Sequence, residues 1–192
     1  MPKTVLRKIN ITDRKYFAKW WRDKDLRKLT SGRSGEISDR KVDKYFQNIL
    51  NSKKDIHFMI TVGGETVGHI VLAKRRGNWF ETQIVIGEKN YWDKKYGSRA
   101  ISLLLRWAKR FGIQKIYLEV RPTNIRAICA YKKCGFQKVR IVKYPQNKYL
   151  PETLRMEFKK IKKIEEGKDP IKVLSSFCSY FRIYNLRILK NL

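Results

Sequence analysis

Acidic residues are scarce in this chain: 17 Asp+Glu stand against 45 Lys+Arg in 192 residues, a formal charge of +28. Such a balance draws anionic partners, whether nucleotide cofactors, acidic substrates, nucleic acid or anionic lipid. A merely solvating, lysine-rich surface is the alternative. Metal-binding side chains are scarcer still. Two histidines, His57 and His69, and three cysteines, Cys129, Cys134 and Cys178, make no ligand cluster, so no metal site is expected. The cysteine count is odd, and Cys129 and Cys134 lie five apart on one predicted helix and its end, a poor geometry for a disulfide. Long apolar runs are missing too. The opening MPKTVLRKIN has no signal-peptide stretch, and no segment approaches a membrane span, so a cytoplasmic protein is expected. What the chain does have is 42% apolar and 12% aromatic residues, enough to fold around one core as one α/β domain.

Hydrophobic spacing divides the chain. Residues 4–9 read as a strand. Ile11, Phe17, Trp20, Trp21 and Leu26 then fall near helical spacing behind Thr12 or Asp13 as the capping residue, and a second helix opens at Ser38 or Asp39. The period changes at residue 57: HFMITVGGETVGHIVLAKR reads as two strands around Gly63-Gly64, followed by the strand WFETQIVIGE. A helix over 97–110 carries Ile101, Leu104, Leu105 and Ala108 on one stripe. After it come the strand IQKIYLEV, a helix opened by Thr123 or Asn124 and stopped at Gly135, and two further strands ending near residue 160. The order β-α-α-β-β-β-α-β-α-β-β predicts a mixed α/β sheet rather than a doubly wound one. Residues 161–169 read as a polar linker. Residues 170–192 read as a basic amphipathic helix, suited to covering its own domain, to a homodimer contact or to an anionic membrane surface.

One stretch suggests chemistry. In ETQIVIGEKNYWDKKYGSRAI a strand ends, a short loop turns, and a helix begins at Gly97 with no acidic side chain in its first turn. Unpaired N–H groups and the helix dipole make such an end a seat for a pyrophosphate, and Lys94, Lys95 and Arg99 add charge nearby. An ordinary strand-to-helix connection would look much the same.

The run GEKNYWDKKYGSRAI resembles the CoA-binding motif of the GNAT N-acetyltransferases, particularly the branch acting on ribosomal-protein N-termini. That motif is usually Arg/Gln-x-x-Gly-x-Gly/Ala. Aligned on Gly97, Lys95 stands where the first glycine is usual and Trp92 where the Arg or Gln is usual. A lysine there either obstructs the backbone's approach to phosphate or supplies a replacement contact. The run YLEVRPTNIRAICAYKKCGF is similar to the family's other signature, with Asn124, Ala127, Tyr131, Gly135 and Phe136 at the family spacing.

The resemblance, over roughly residues 4 to 158, implies a GNAT-like fold and acetyl transfer from acetyl-CoA to a primary amine, without a metal. It implies a cofactor site of Ile84, Val85 and Ile86 on a splayed strand, residues Trp92, Lys94, Lys95, Tyr96, Gly97 and Ser98 around the phosphates, and Asn124 beside the cofactor arm. Tyr131 resembles the tyrosine that protonates the departing thiolate. Glu119 stands where some relatives place the base, with Glu81 or a water relay as alternatives. Trp20, Trp21 and Trp79 either line an acceptor pocket or belong to the core. The acceptor is a protein N-terminus or a small-molecule amine such as an amino sugar, a nucleotide-linked amino sugar or a polyamine. The alternative of another class is an inactive GNAT-like fold that binds nucleic acid through its basic surface.

Overall fold

The period-two segments form seven strands in the computed structural model, which describes residues 2–32 and 35–158. They are β1 (Thr4–Lys8), β2 (Ile56–Val62), β3 (Glu65–Lys74), β4 (Trp79–Ile86), β5 (Lys115–Val120), β6 (Phe136–Lys143) and β7 (Glu152–Phe158). They make one sheet in the order β1-β2-β3-β4-β5-β7-β6. Every neighbouring pair is antiparallel except β4 and β5. The mixed α/β sheet expected from the pattern is therefore present. The turn between β2 and β3 falls on Gly63 and Gly64, both at positive φ, as a tight hairpin demands.

Five helices accompany the sheet: α1 (Arg14–Arg22), α2 (Lys24–Leu29), α3 (Asp39–Leu50), α4 (Tyr96–Arg110) and α5 (Ile125–Lys133). The single first helix expected from the spacing is in fact two. Asp23 leaves the helical region, and its carboxylate accepts from the N–H groups of Asp25 and Leu26, capping α2. Asp13 stands at the N-cap position of α1, as expected, but its side chain makes no cap bond there. Asn10 caps a short 3-10 turn ahead of α1, while the buried Asp13 accepts from the Asn10 N–H and from Arg7 at 2.6 Å. A short polar side chain can serve as cap or as tertiary anchor, and spacing alone does not tell which.

Successive side chains of β2 go to opposite faces. Met59 joins Phe17, Trp20, Leu26 and Phe46 in a cluster under α1 and α3, whereas Phe58 meets Trp107 of α4 with ring centroids 5.4 Å apart. The two histidines share the first face: His57 Nδ1 and His69 Nε2 are hydrogen-bonded at 3.1 Å, and burial holds the His69 imidazole down at about 3, hence neutral. The predicted linker 161–169 and helix 170–192 lie outside the described residues.

The chain leaving β4 is clamped at once. A Cβ at Gly87 would stand 2.1 Å from the Trp20 indole, and Trp20 Nε1 donates to Glu88 at 3.0 Å while Lys19 pairs with the same carboxylate at 2.7 Å. Trp20 thus sits in the core, against its alternative reading as an acceptor-pocket residue. Gly87→Ala must push a buried ring aside, so a loss of about 1–3 kcal/mol is expected on urea denaturation. An unchanged midpoint would show that Trp20 has room to move.

Candidate functional site

Parallel β4 and β5 stay together for three positions only, Trp79↔Lys115, Phe80↔Ile116 and Glu81↔Tyr117. Beyond them β4 remains paired with β3 as far as Ile86, and β5 with β7 as far as Val120. The sheet therefore opens between the two strands, leaving one edge of β4 unpaired from Thr82 onward. Ile84, Val85 and Ile86 lie half-buried along that opening. At its apex the buried Thr82 hydroxyl has no hydrogen-bond partner among the described residues. Unpaired buried polar groups are costly, so this edge is suited to a ligand that itself carries amides.

The loop from β4 into α4 ends on Lys95, which has φ +63° and precedes the first helical residue, Tyr96. That is the backbone conformation glycine favours. The departure at this position is thus absorbed by the lysine adopting a glycine-like turn, with Asp93 at φ +59° beside it. The N–H groups of Tyr96, Gly97 and Ser98 open the helix, and the ring of Tyr96 is buried against Tyr91. A Cβ at Gly97 would meet nothing closer than Ile86 Cγ1, at 3.7 Å. The fold has room for alanine there, although glycine costs a helix interior about 1 kcal/mol.

Trp92 contributes through packing. Its Nε1 donates to the Ile86 carbonyl at 2.8 Å, and the Arg126 guanidinium lies 4.8 Å from its ring centroid. Arg126 also pairs with Asp93 at 3.2 Å, and Cys134 Sγ donates to the Ser98 carbonyl at 3.5 Å, so the loop is tied to α5. Between α4 and α5 runs a groove of about 820 Å³, lined by Lys95, Arg99, Arg106, Arg126 and Lys133 with Asp93 as its one carboxylate. Lys94 lies in the same turn, exposed. Cys129 and Cys134 are both free thiols.

Asn124 caps α5, its side-chain oxygen accepting from the Ala127 N–H at 3.1 Å. Tyr131 packs edge-on against Phe136, and burial pushes its hydroxyl up to about 12. The two carboxylate candidates differ. Glu81 is held by Arg75 at 2.8 Å and accepts from Gln83 at 2.7 Å. Glu119 pairs with no lysine or arginine among the described residues; its Oε2 accepts from the hydroxyls of Tyr144, at 2.6 Å, and Thr153, at 2.7 Å. Trp79 stands beside Tyr117 and Arg155, and Trp21 packs against the α1–α3 core. Arg126, Tyr144 and Thr153 carry no local motif, so sequence spacing does not single them out.

A lysine in the left-handed region is strained relative to glycine. Lys95→Gly should raise stability by about 0.5–1 kcal/mol in urea denaturation, since glycine meets no Cβ clash there. A loss of stability would mean that the lysine side chain anchors the loop.

Comparison with known proteins agrees with this geometry. The sequence model of the Acetyltransferase (GNAT) domain matches residues 3–137. An uncharacterized protein of Methanocaldococcus jannaschii is 32% identical over 74 residues, which cover 38% of this chain but only 15% of that relative's length. Among solved structures, a domain from Methanocaldococcus jannaschii aligns with a TM-score of 0.69 and 21% identity, over 82% of this chain and 98% of that one. AAC(6')-Ib in complex with ribostamycin and coenzyme A aligns at 0.71 and 16%, over 82% and 93%. Spermidine N-acetyltransferase from Vibrio cholerae, with CoA and spermine, aligns at 0.69 and 18%, over 81% and 94%. Among the described residues no helix is long and apolar enough to cross a membrane. With the family's domain model spanning both the opened sheet and the loop into α4, the chain belongs to the GNAT acetyltransferase family.

Proposed function

We propose that the protein is an N-acetyltransferase that passes the acetyl group of acetyl-CoA directly to a primary amine. The observation that carries the reading is the opening of the sheet beyond Glu81, with the α4 N-terminus at the far end of the same strand. Two features fit the donor. Gly97 leaves a space that the fold itself does not need, at the point where phosphate would approach the helix. Thr82 presents an unpaired buried hydroxyl at the apex of the cleft. Bound acetyl-CoA supplies an activated thioester. The N–H groups of residues 96–98, with Lys94 and Lys95, hold its pyrophosphate, and the open edge of β4 along Ile84, Val85 and Ile86, apart from the Ile86 carbonyl that Trp92 already bonds, meets its amides.

The chain's own residues then handle protons. Glu119 takes the one the amine must lose, a role open to it because no cation among the described residues neutralises it; Glu81 is occupied by Arg75. Tyr131 keeps its proton at neutral pH, because burial raises its hydroxyl to about 12, and delivers it to the departing sulfur. As the C–N bond forms and the C–S bond breaks, one proton leaves the nitrogen and one reaches the sulfur. Asn124 is spent on capping α5 through its oxygen and has its amide N–H groups left for the cofactor arm.

The acceptor is a small cationic amine or a protein N-terminus. Small amines gain support from two structural neighbours, one solved with an aminoglycoside and the other a spermidine N-acetyltransferase. A coupled CoA-release assay over amino-terminal peptides, polyamines and amino sugars separates the two readings. With the amine that reacts fastest, Tyr131→Phe should lower turnover by about one to three orders of magnitude with acetyl-CoA binding intact. Glu119→Gln should lose activity near neutral pH and regain part of it at high pH, where the amine deprotonates unaided. Full activity in both variants would remove these roles.

Acetyl-CoA binding is tested separately by calorimetry. Gly97→Ala should leave the melting temperature of the free protein unchanged or slightly raised, yet weaken acetyl-CoA by roughly tenfold or more. Equal affinity in wild type and variant would place the phosphates elsewhere. No binding by the wild type, with binding gained on Lys95→Gly, would favour the inactive fold.

A further inference from the structure

Carboxylates are rarest where Glu119 sits. From Lys94 to Pro151 the sequence holds 15 Lys+Arg and one acidic residue, Glu119 itself. In a chain so rich in cations a glutamate with no ion pair among the described residues needs an explanation. Arg155 lies directly opposite it in the β5–β7 register, yet Arg155 pairs with Glu157 at 2.9 Å and lies over the Tyr117 ring, 3.7 Å from its centroid. The cation best placed to neutralise Glu119 is thus engaged elsewhere, and two neutral hydroxyls take its place. Both reach the same oxygen, Oε2. Oε1 has no partner among the described residues.

The two donors come from either side of one turn. Tyr144 directly follows β6, and its N–H donates to the Pro151 carbonyl at 2.6 Å, closing the loop between β6 and β7. Thr153 is buried on β7, opposite Val142. Each hydroxyl is therefore fixed by backbone pairing and not by a long flexible side chain. Burial and the bond to Glu119 raise the Tyr144 hydroxyl to about 12, so it stays a donor throughout the working range of pH.

We infer that Tyr144 and Thr153 are positioning residues for Glu119: they fasten Oε2 and leave Oε1 as the single oxygen that meets the acceptor amine. The inference rests on Glu119 being the base. An arginine in their place would also hold the carboxylate but would repel an ammonium acceptor. Neutral donors avoid that repulsion.

The test uses the full chain with Tyr144→Phe, Thr153→Val and the double variant, each keeping its side-chain shape. With the fastest amine of the acceptor panel each single variant should lower kcat by about three- to tenfold and the double variant further, while the KM for acetyl-CoA stays unchanged, and Thr153→Ser, which keeps the hydroxyl, should restore the rate lost in Thr153→Val. Wild-type kcat in both single variants overturns the inference, even where the variants melt earlier. Full activity in Glu119→Gln overturns the base instead, leaving hydroxyls that merely fasten a bystander carboxylate.

Discussion

Between Thr82 and Ile86, β4 has a hydrogen-bonding neighbour on one side only. A strand interior to a seven-stranded sheet would ordinarily be paired on both edges. Here the parallel partner is drawn off by β7, which holds Tyr117 to Val120 in antiparallel register. The remaining architecture follows from that divergence. The opening gives an extended ligand a strand to lie against, and the connection leaving β4 must turn straight into α4, whose N-terminus stands at the end of the free edge. Trp92 closes the turn by bonding the Ile86 carbonyl, and Trp20 holds Gly87 and Glu88 from the opposite face. Two indoles, neither lining the groove itself, keep the loop into α4 in register with the cleft.

Charge is divided along the same line. The groove between α4 and α5 is lined by five basic residues and one acidic residue, a field that suits phosphates. Of the carboxylates on β4, β5 and β7, Glu81 is matched with Arg75 and Glu157 with Arg155. Glu119 is held by the hydroxyls of Tyr144 and Thr153.

Much of the site was legible because its residues are consecutive. The strand, the loop and the helix of residues 79–110 appear in one run, and so do Asn124 and Tyr131 on the next helix. Other parts were hidden for physical reasons. Lys95 reads as a departure from the glycine of related loops, yet a left-handed backbone is available to any residue for a cost of about 1–2 kcal/mol, and composition does not report that φ is positive. The break at Asp23 was missed because apolar spacing continues across it while the cap does not. Glu81 and Glu119 could not be ranked, since their partners lie on strands apart in sequence or just outside the strand.

By itself the sequence determined the mixed α/β class, the hairpin at Gly63-Gly64, a helix opening within one residue of Gly97 and the family signatures, because each depends on local periodicity, turn chemistry or fixed spacing. Tertiary structure alone decided where the sheet opens, since that depends on β7 pairing with β5 across more than 30 intervening residues. It also decided what surrounds each carboxylate. Among the described residues no cation pairs with Glu119: Arg155, placed opposite by the register, turns to Glu157 and the Tyr117 ring, while Tyr144 and Thr153 arrive from a hairpin that no motif foretells.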